Sequence, residues 1–299
     1  MSKNTSQMIV KSNHLVEASY RLELSEQRTI LMAIFLAREN GLGITSDKFL
    51  TITAADYAAM FSIDINTAYE QLQSVGASLY ERTITLNDIH EPSGKPRKIQ
   101  TRWVSAVSYV PDAALVQIQF SGVIVPYITK LEREFTSYKI SMIAKMTSIY
   151  AIRLYELLIQ WGGVGHRTVM INDLKNTLAI DAGYAAIKDF KKRVIDPAIE
   201  QINKYTDIQV SYENVKEGRS ICGLKFIFTK SDNPKVQPII QQSKIIKQAT
   251  PSTGLTTAEK TMVKQVCTKT GLSDIEVVKQ AKALNSDLFM ALDSMLKNG

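Results

Sequence analysis

Residues 184–203 read YAAIKDFKKRVIDPAIEQIN. Placed on a wheel at about 100° per residue, Ile187, Phe190, Val194, Ala198 and Ile202 gather on one face, which would pack on a domain core. Lys188, Asp189, Lys192, Arg193, Asp196 and Glu200 lie on the opposite arc. Lys191 falls at the apolar edge and has to carry its charge outward along an apolar stem. Basic residues crowd the first half of this helix and acids the second. Pro197 removes one backbone hydrogen bond and clashes with the preceding turn, so a bend is expected there.

The flanking elements follow from the same patterning. Downstream, Ile208, Val210 and Tyr212 alternate with Gln209 and Ser211. Cys222, Leu224, Phe226 and Phe228 share one face of a second strand, so a hairpin is expected over 207–213 and 220–229, with 214–219 as its loop. Upstream come a helix over 148–161, a short strand over 168–171 and a short helix capped by Asn172.

The first half repeats this order. A helix starts at Leu24-Ser25-Glu26-Gln27, with Ser25 as its N-cap, and ends at Asn40-Gly41. A strand over 49–53, a small helix over 54–60 and a longer helix over 66–82 come next. Strands over 83–86, 99–110 and 115–120 close the unit, with a turn-rich basic loop, residues 91–97, between the first two. Helix, strand, helix, helix, hairpin is the order of a winged helix, whose third helix can enter a DNA major groove while the hairpin touches the neighbouring backbone. The fold class is therefore α+β: two tandem winged-helix (helix-turn-helix) domains with a helical C-terminal tail. The domains divide as 1–138, 139–230, a linker over 231–255 and a tail over 256–299. In the tail, helices are expected over 257–270 and 273–297.

Charge distribution supports unequal roles. The 299-residue chain carries 36 Lys+Arg against 29 Asp+Glu, a net of +7 that suits a polyanionic partner. Residues 1–138 hold 13 basic and 14 acidic residues, 139–230 hold 14 and 9, and 231–299 hold 9 and 6. The excess thus sits in the second domain and the tail. Within the first domain, Lys95, Arg97, Lys98 and Arg102 are concentrated around the basic loop, while the helix over 66–82 has no basic cluster. That pattern implies phosphate contact or dimer packing for the first domain and base reading for the second.

Other classes lack their chemistry. No apolar run reaches the roughly 18 residues of a membrane span, and no secretory signal is visible, so a cytoplasmic protein without a membrane partner is expected. The two cysteines, Cys222 and Cys267, are too few for a disulfide framework or a four-cysteine zinc site. His14, His90 and His166 are isolated, so neither a metal nor another cofactor is expected; a nicking enzyme would want a histidine pair near a nucleophilic tyrosine. His90-Glu91 is loop polarity or, alternatively, a metal contact. Gly94-Lys95 is followed by proline, so there is no phosphate loop for a nucleotide. Cys222 is read as a buried, inert thiol. The uncharged stretch 103–110 is either a buried strand or an intermolecular one, for dimerisation or aggregation.

The runs 190–199, Ile202-Asn203 and Thr206-Asp207-Ile208 resemble the second winged helix of iteron-plasmid replication initiators of the RepE/RepB type. So do Lys216-Glu217-Gly218-Arg219 and Gly223-Leu224-Lys225-Phe226. Residues 13–18 with 24–28 resemble that family's opening segment, and residues 135–138 with 150–157 its join between domains. The resemblance spans about residues 8–230 and leaves out the tail. It implies a non-enzymatic initiator that binds directly repeated sites in double-stranded DNA at an origin. It further implies origin melting, recruitment of host replication initiator and helicase proteins, and dimers through the first domain that repress their own gene. The base-reading residues it implies are Lys188, Lys191, Lys192 and Arg193 on the helix; charge placement adds Lys216 and Arg219 on the wing loop and Lys95, Arg97, Lys98 and Arg102 in the first domain as DNA-binding candidates. The alternatives are a winged-helix transcriptional repressor and, from another class, a nicking rolling-circle initiator enzyme.

Overall fold

A computed structural model of the chain describes residues 8–39, 43–90, 92–129, 134–180 and 184–231, with 261, 263–266, 268 and 277 beyond them. Strand β1 (Met8–Ser12) opens the fold, and Ser12 caps helix α1 (Asn13–Glu17) by accepting the Leu15 N–H at 3.2 Å. Strand β2 (Ser19–Tyr20) leads into α2 (Leu24–Glu39), whose residues from Glu26 to Ala37 are all buried. A helix covered on every side is the centre of its domain, and the rest of the unit wraps around it.

Ser25 is not the cap of α2. The helix already includes Leu24, and the carboxylate of Glu26 reaches back to accept the Glu23 N–H at 2.7 Å. The same carboxylate holds Arg82 Nε at 2.8 and 2.9 Å, so one buried acid ties the start of α2 to the residue that leads into the strand starting at Thr83. The expected end of this helix, Asn40-Gly41, lies outside the described residues.

Strand β3 (Leu50–Thr53) turns into α3 (Ala54–Phe61), with Thr53 accepting the Asp56 N–H at 3.1 Å. Ser62, in the left-handed region at φ 52°, ends α3, and Asp64 caps α4 (Ile65–Ser78). A 3-10 turn, Leu79–Glu81, follows. Then come β4 (Thr83–His90), β5 (Lys95–Arg102), β6 (Val104–Val110), β7 (Leu115–Phe120), α5 (Pro126–Thr129) and β8 (Phe135–Lys139). They form sheets in the orders β2-β4-β5 and β3-β7-β6, while β8 returns to pair antiparallel with β1, Ile9 opposite Tyr138.

The single strand expected over 99–110 is two strands in two sheets. Trp103 separates them: it is fully buried, edge-on to Tyr20 at 4.8 Å, and its carbonyl accepts the Ser121 N–H outside either ladder. An indole of that size fills the space between the sheets and turns the chain from one to the other. Strand β6 is then a sheet edge, paired among the described residues only with β7, and of its residues only Val104 is fully buried. It is therefore not the buried strand of the first reading. Helix α4 lies close on it: a Cβ on Gly76 would sit 2.8 Å from Tyr109 Cβ.

The second half contains α6 (Ser141–Ala144), α7 (Ile149–Ile159), β9 (His166–Met170), α8 (Ile171–Thr177), α9 (Ile187–Phe190), a π-helical turn (Lys191–Ile195), α10 (Asp196–Tyr205), β10 (Ile208–Glu217) and β11 (Ser220–Lys230). The sheet order is β10-β11-β9. Asn172 is not a cap, because Met170 pairs with Gly223 and the chain enters α8 directly at Ile171. Trp161, just after α7, is 43% exposed.

Helix α7 joins the halves. Glu156 and Lys11 of β1 form an ion pair at 2.5 Å, with side chains 0% and 1% exposed, and the Tyr138 hydroxyl donates to the same carboxylate. Arg153 donates to the carbonyls of Ala18 and Thr177, both at 2.7 Å, and lies over the Tyr20 ring. Arg28 of α2 donates to the Met146 carbonyl at 2.9 Å. The two winged helices therefore share a buried polar seam and belong to one compact unit, residues 1–241.

The remainder, residues 242–299, forms a second unit. Within the helix expected over 257–270, residues 261, 263–266 and 268 are helical, and Val263 and Val266 are buried. The helix expected over 273–297 is described only at Val277, which is helical and buried. The linker beyond Ser231 lies outside the described residues.

Candidate nucleic-acid interface

In the second winged helix the chain passes Tyr184, at φ 62°, and becomes helical at Ile187 rather than at 184. The apolar stripe is as patterned: Phe190, Val194, Ala198 and Ile202 are buried and Ile187 is half-buried. From Phe190 on its members recur every four residues, which drifts by about 40° per step on an α-helix. The π turn interrupts that drift and lets Ile195 become buried as well. It also accommodates Pro197, the second residue of α10, which cannot donate to the Arg193 carbonyl.

On the outer arc Lys188, Lys192 and Arg193 are exposed, and among the described residues none of them has a hydrogen-bond or ion-pair partner. Lys191 differs. It is half-buried, donates to Asn214 Oδ1 at 2.9 Å and lies 5.1 Å from the centre of the Tyr212 ring. The Tyr212 hydroxyl donates to Asp196 Oδ1 at 2.7 Å; burial first, and then this carboxylate, raise the phenol well above its ordinary pKa.

The wing is longer and its loop shorter than expected. Strands β10 and β11 pair from Ile208↔Lys230 to Glu217↔Ser220, leaving Gly218 and Arg219 as a two-residue turn. Gly218 is at φ 59°, which a residue without a side chain adopts readily. Lys216 therefore stands on β10, just past a bulge at Val215/Lys216, and Arg219 sits in the turn; both are exposed.

In the first winged helix the basic residues are not in a loop. Lys95, Arg97, Lys98 and Arg102 all lie on β5, which pairs with β4 from His90↔Lys95 to Thr83↔Arg102. Pro96 suggests a loop by composition, but β5 is the edge of its sheet, where a missing N–H is tolerated. Two of the four charges are matched. Arg97 donates to Asp88 at 2.9 Å, and Tyr127 donates to the same oxygen at 2.6 Å. Desolvation raises the Asp88 pKa, but the bonds from Tyr127, Arg97 and the Ile89 N–H outweigh it and bring the carboxyl to about 2. Arg102 pairs with Glu81 at 3.0 Å and lies over Tyr80. Lys95 and Lys98 are exposed, without such partners among the described residues.

A further candidate, which charge alone does not single out, is the outward face of α4. Ile65, Asn66, Thr67, Glu70, Gln73 and Ser74 are exposed there. Asn, Gln, Thr and Ser read base edges through neutral hydrogen bonds, and their helical spacing was the available signal.

The family model for the first winged helix of the initiator replication proteins matches residues 8–159, and that for the second matches 170–228. The chain belongs to the initiator replication protein family. This replication initiator has the two winged-helix domains expected from its sequence, in the expected order. It is 25% identical to the PI protein of Escherichia coli over 263 residues, covering 78% of this chain and 86% of that protein. It is 23% identical over 235 residues to an uncharacterized 27.6 kDa protein of Escherichia coli, covering 75% and 94%. Among solved structures it is similar to a Pi initiator protein in complex with iteron DNA, at a TM-score of 0.63 and 25% identity, covering 77% of this chain and all of that one.

The remaining sequence candidates of the initiator are local. His90 Nδ1 lies 2.8 Å from Ser93 Oγ in the β4–β5 turn, and Glu91 is outside the described residues. Cys222 is not the buried thiol expected: it is half-buried, with Sγ 3.5 Å from the Val215 carbonyl oxygen. Among the described residues no group of three or more His, Cys, Asp or Glu is arranged to hold a metal, and no helix is long and apolar enough to cross a membrane.

Proposed function

We propose that the protein initiates plasmid replication by binding directly repeated duplex sites at an origin. The observation that carries this reading is the unpaired trio Lys188, Lys192 and Arg193 on the outer face of the helix, beside a wing whose tip presents Lys216 and Arg219. The complex of the similar Pi initiator with iteron DNA supports the choice of ligand. Lys188, Lys192 and Arg193 contact base edges and flanking phosphates, while Lys216 and Arg219 hold the backbone. In the first domain, residues 1–138, Lys95 and Lys98 touch phosphate; Arg97 and Arg102 do so only by leaving their carboxylates. Bound copies melt adjacent AT-rich DNA and recruit host initiator and helicase proteins, acting in the cytoplasm by binding rather than catalysis. The place of β6 at the end of its sheet supports self-association through the first domain.

Gel-shift titration of the full chain on the tandem repeats beside its gene tests this. Stepwise occupancy of each repeat, with scrambled duplex bound at least a thousandfold more weakly, is the expected result. Binding to an inverted-repeat operator but not to direct repeats makes the protein a repressor. A covalent protein–DNA adduct on supercoiled DNA with a divalent metal makes it a nickase. Either result overturns the reading.

A further inference from the structure

The reading helix and the wing are connected by three rungs on one strand. Asn203 donates to the Val210 carbonyl at 2.9 Å and accepts the Val210 N–H at 2.6 Å. Asp196 accepts the Tyr212 hydroxyl at 2.7 Å. Lys191 donates to Asn214 at 2.9 Å. Positions 210, 212 and 214 alternate along β10, so the strand offers them on one side.

The helix can meet all three only because of its π turn. Seven α-helical residues make about 700°, nearly two full turns, so Asp196 and Asn203 face the same way. Five make about 500°, so on an α-helix Lys191 and Asp196 would point about 140° apart. The Asp196 N–H instead bonds the Lys191 carbonyl, five residues back, and that wider turn brings Lys191 round above Asp196. Immediately past the last rung is the bulge at Val215/Lys216, and beyond it the strand carries Lys216, Glu217 and the tip.

We propose that this ladder is a specificity determinant that does not touch DNA. It sets the angle between the reading face and the wing, and Lys191 is a positioning residue within it rather than a phosphate contact. The charge-based reading grouped Lys191 with Lys188, Lys192 and Arg193; its ammonium is instead committed to Asn214 and the Tyr212 ring. The inference rests on the DNA-binding reading above and assigns that site its geometry.

The test uses the full chain and two probes: the duplex that the wild-type protein selects from a random-sequence pool, and a scrambled duplex. Tyr212→Phe removes one hydroxyl and keeps the ring. It should lower the selected-to-scrambled affinity ratio about fivefold, the worth of one hydrogen bond, and shift hydroxyl-radical protection at the wing phosphates. Lys191→Met should lower the ratio similarly while leaving the salt slope unchanged. The double variant should lose less than the sum of the two. Lys191→Arg and Asp196→Asn, which keep a donor and an acceptor, should restore the ratio. If Lys191→Met lowers the salt slope by about one, Lys191 is a phosphate contact and the proposal fails. It fails also if Tyr212→Phe leaves both ratio and footprint as in the wild type. Should Tyr212→Phe not fold, the Lys191→Met and Lys191→Arg pair decides alone. If the wild-type chain selects no duplex above the scrambled one, the DNA-binding reading falls and this inference with it.

Discussion

The two winged helices are built on one plan and differ in what their charges are doing. In the first, Arg97 and Arg102 of the wing are matched by Asp88 and Glu81, and the helix α4 shows neutral polar groups and one acid, Glu70. In the second, Lys188, Lys192 and Arg193 on the helix and Lys216 and Arg219 on the wing have no such partners among the described residues. A net charge reports neither difference. What distinguishes a surface ready for a polyanion is cations without internal partners, because a paired cation must first give up its carboxylate.

The sharpest way to break the comparison is to disrupt the seam that the two winged helices share. Glu156→Ala leaves Lys11 charged and buried without its partner, and should destabilise the chain by about 3–5 kcal/mol in chemical denaturation. Both halves should weaken together, because α7 belongs to the shared seam. Next in size, Lys188→Ala or Lys192→Ala should reduce discrimination between selected and scrambled duplex by about 1–3 kcal/mol. Lys95→Ala should weaken both duplexes equally. If Gln73→Ala costs as much discrimination as Lys192→Ala, both helices read bases and the contrast is one of hydrogen-bond chemistry.

Smaller effects sharpen the comparison from the other side. Glu81→Gln frees Arg102, and should raise affinity for scrambled duplex and steepen the salt dependence by about one contact. The smallest effect concerns pH. The Asp88 carboxyl lies near 2 in the folded chain against an ordinary 3.8. Its stabilisation is therefore complete above the ordinary value and lost as the pH falls through about 2. Asp88→Asn should flatten that limb of an acid titration followed by amide exchange in the β4–β5 hairpin.

The winged-helix order was legible because its helices carry clean apolar stripes and its strands alternate. The failures have physical causes. Pro96 and the charges around it suggest a loop, yet an edge strand accepts both. Trp103 looks like one more apolar residue in a strand, although its size makes it the corner between two sheets. The β1–β8 pair joins segments about 125 residues apart, which no local pattern records. The candidate site was half legible: charge clustering picked out Lys188, Lys192 and Arg193, which are exposed, but the partner of Lys191 lies 23 residues away on another element. The outward face of α4 carries one acid, Glu70, and no basic signal at all.

The chain has two tryptophans, one in each winged helix. Trp103 is sealed between sheets and Trp161 stands half in water. Indole emission shifts to longer wavelength as its surroundings become wetter, so the molecule carries two intrinsic reporters of different colour. Trp161→Phe isolates the signal of the first half and Trp103→Phe that of the second. Two melting curves from the same fold would then reveal whether the seam at α7 makes the halves lose their structure in one step.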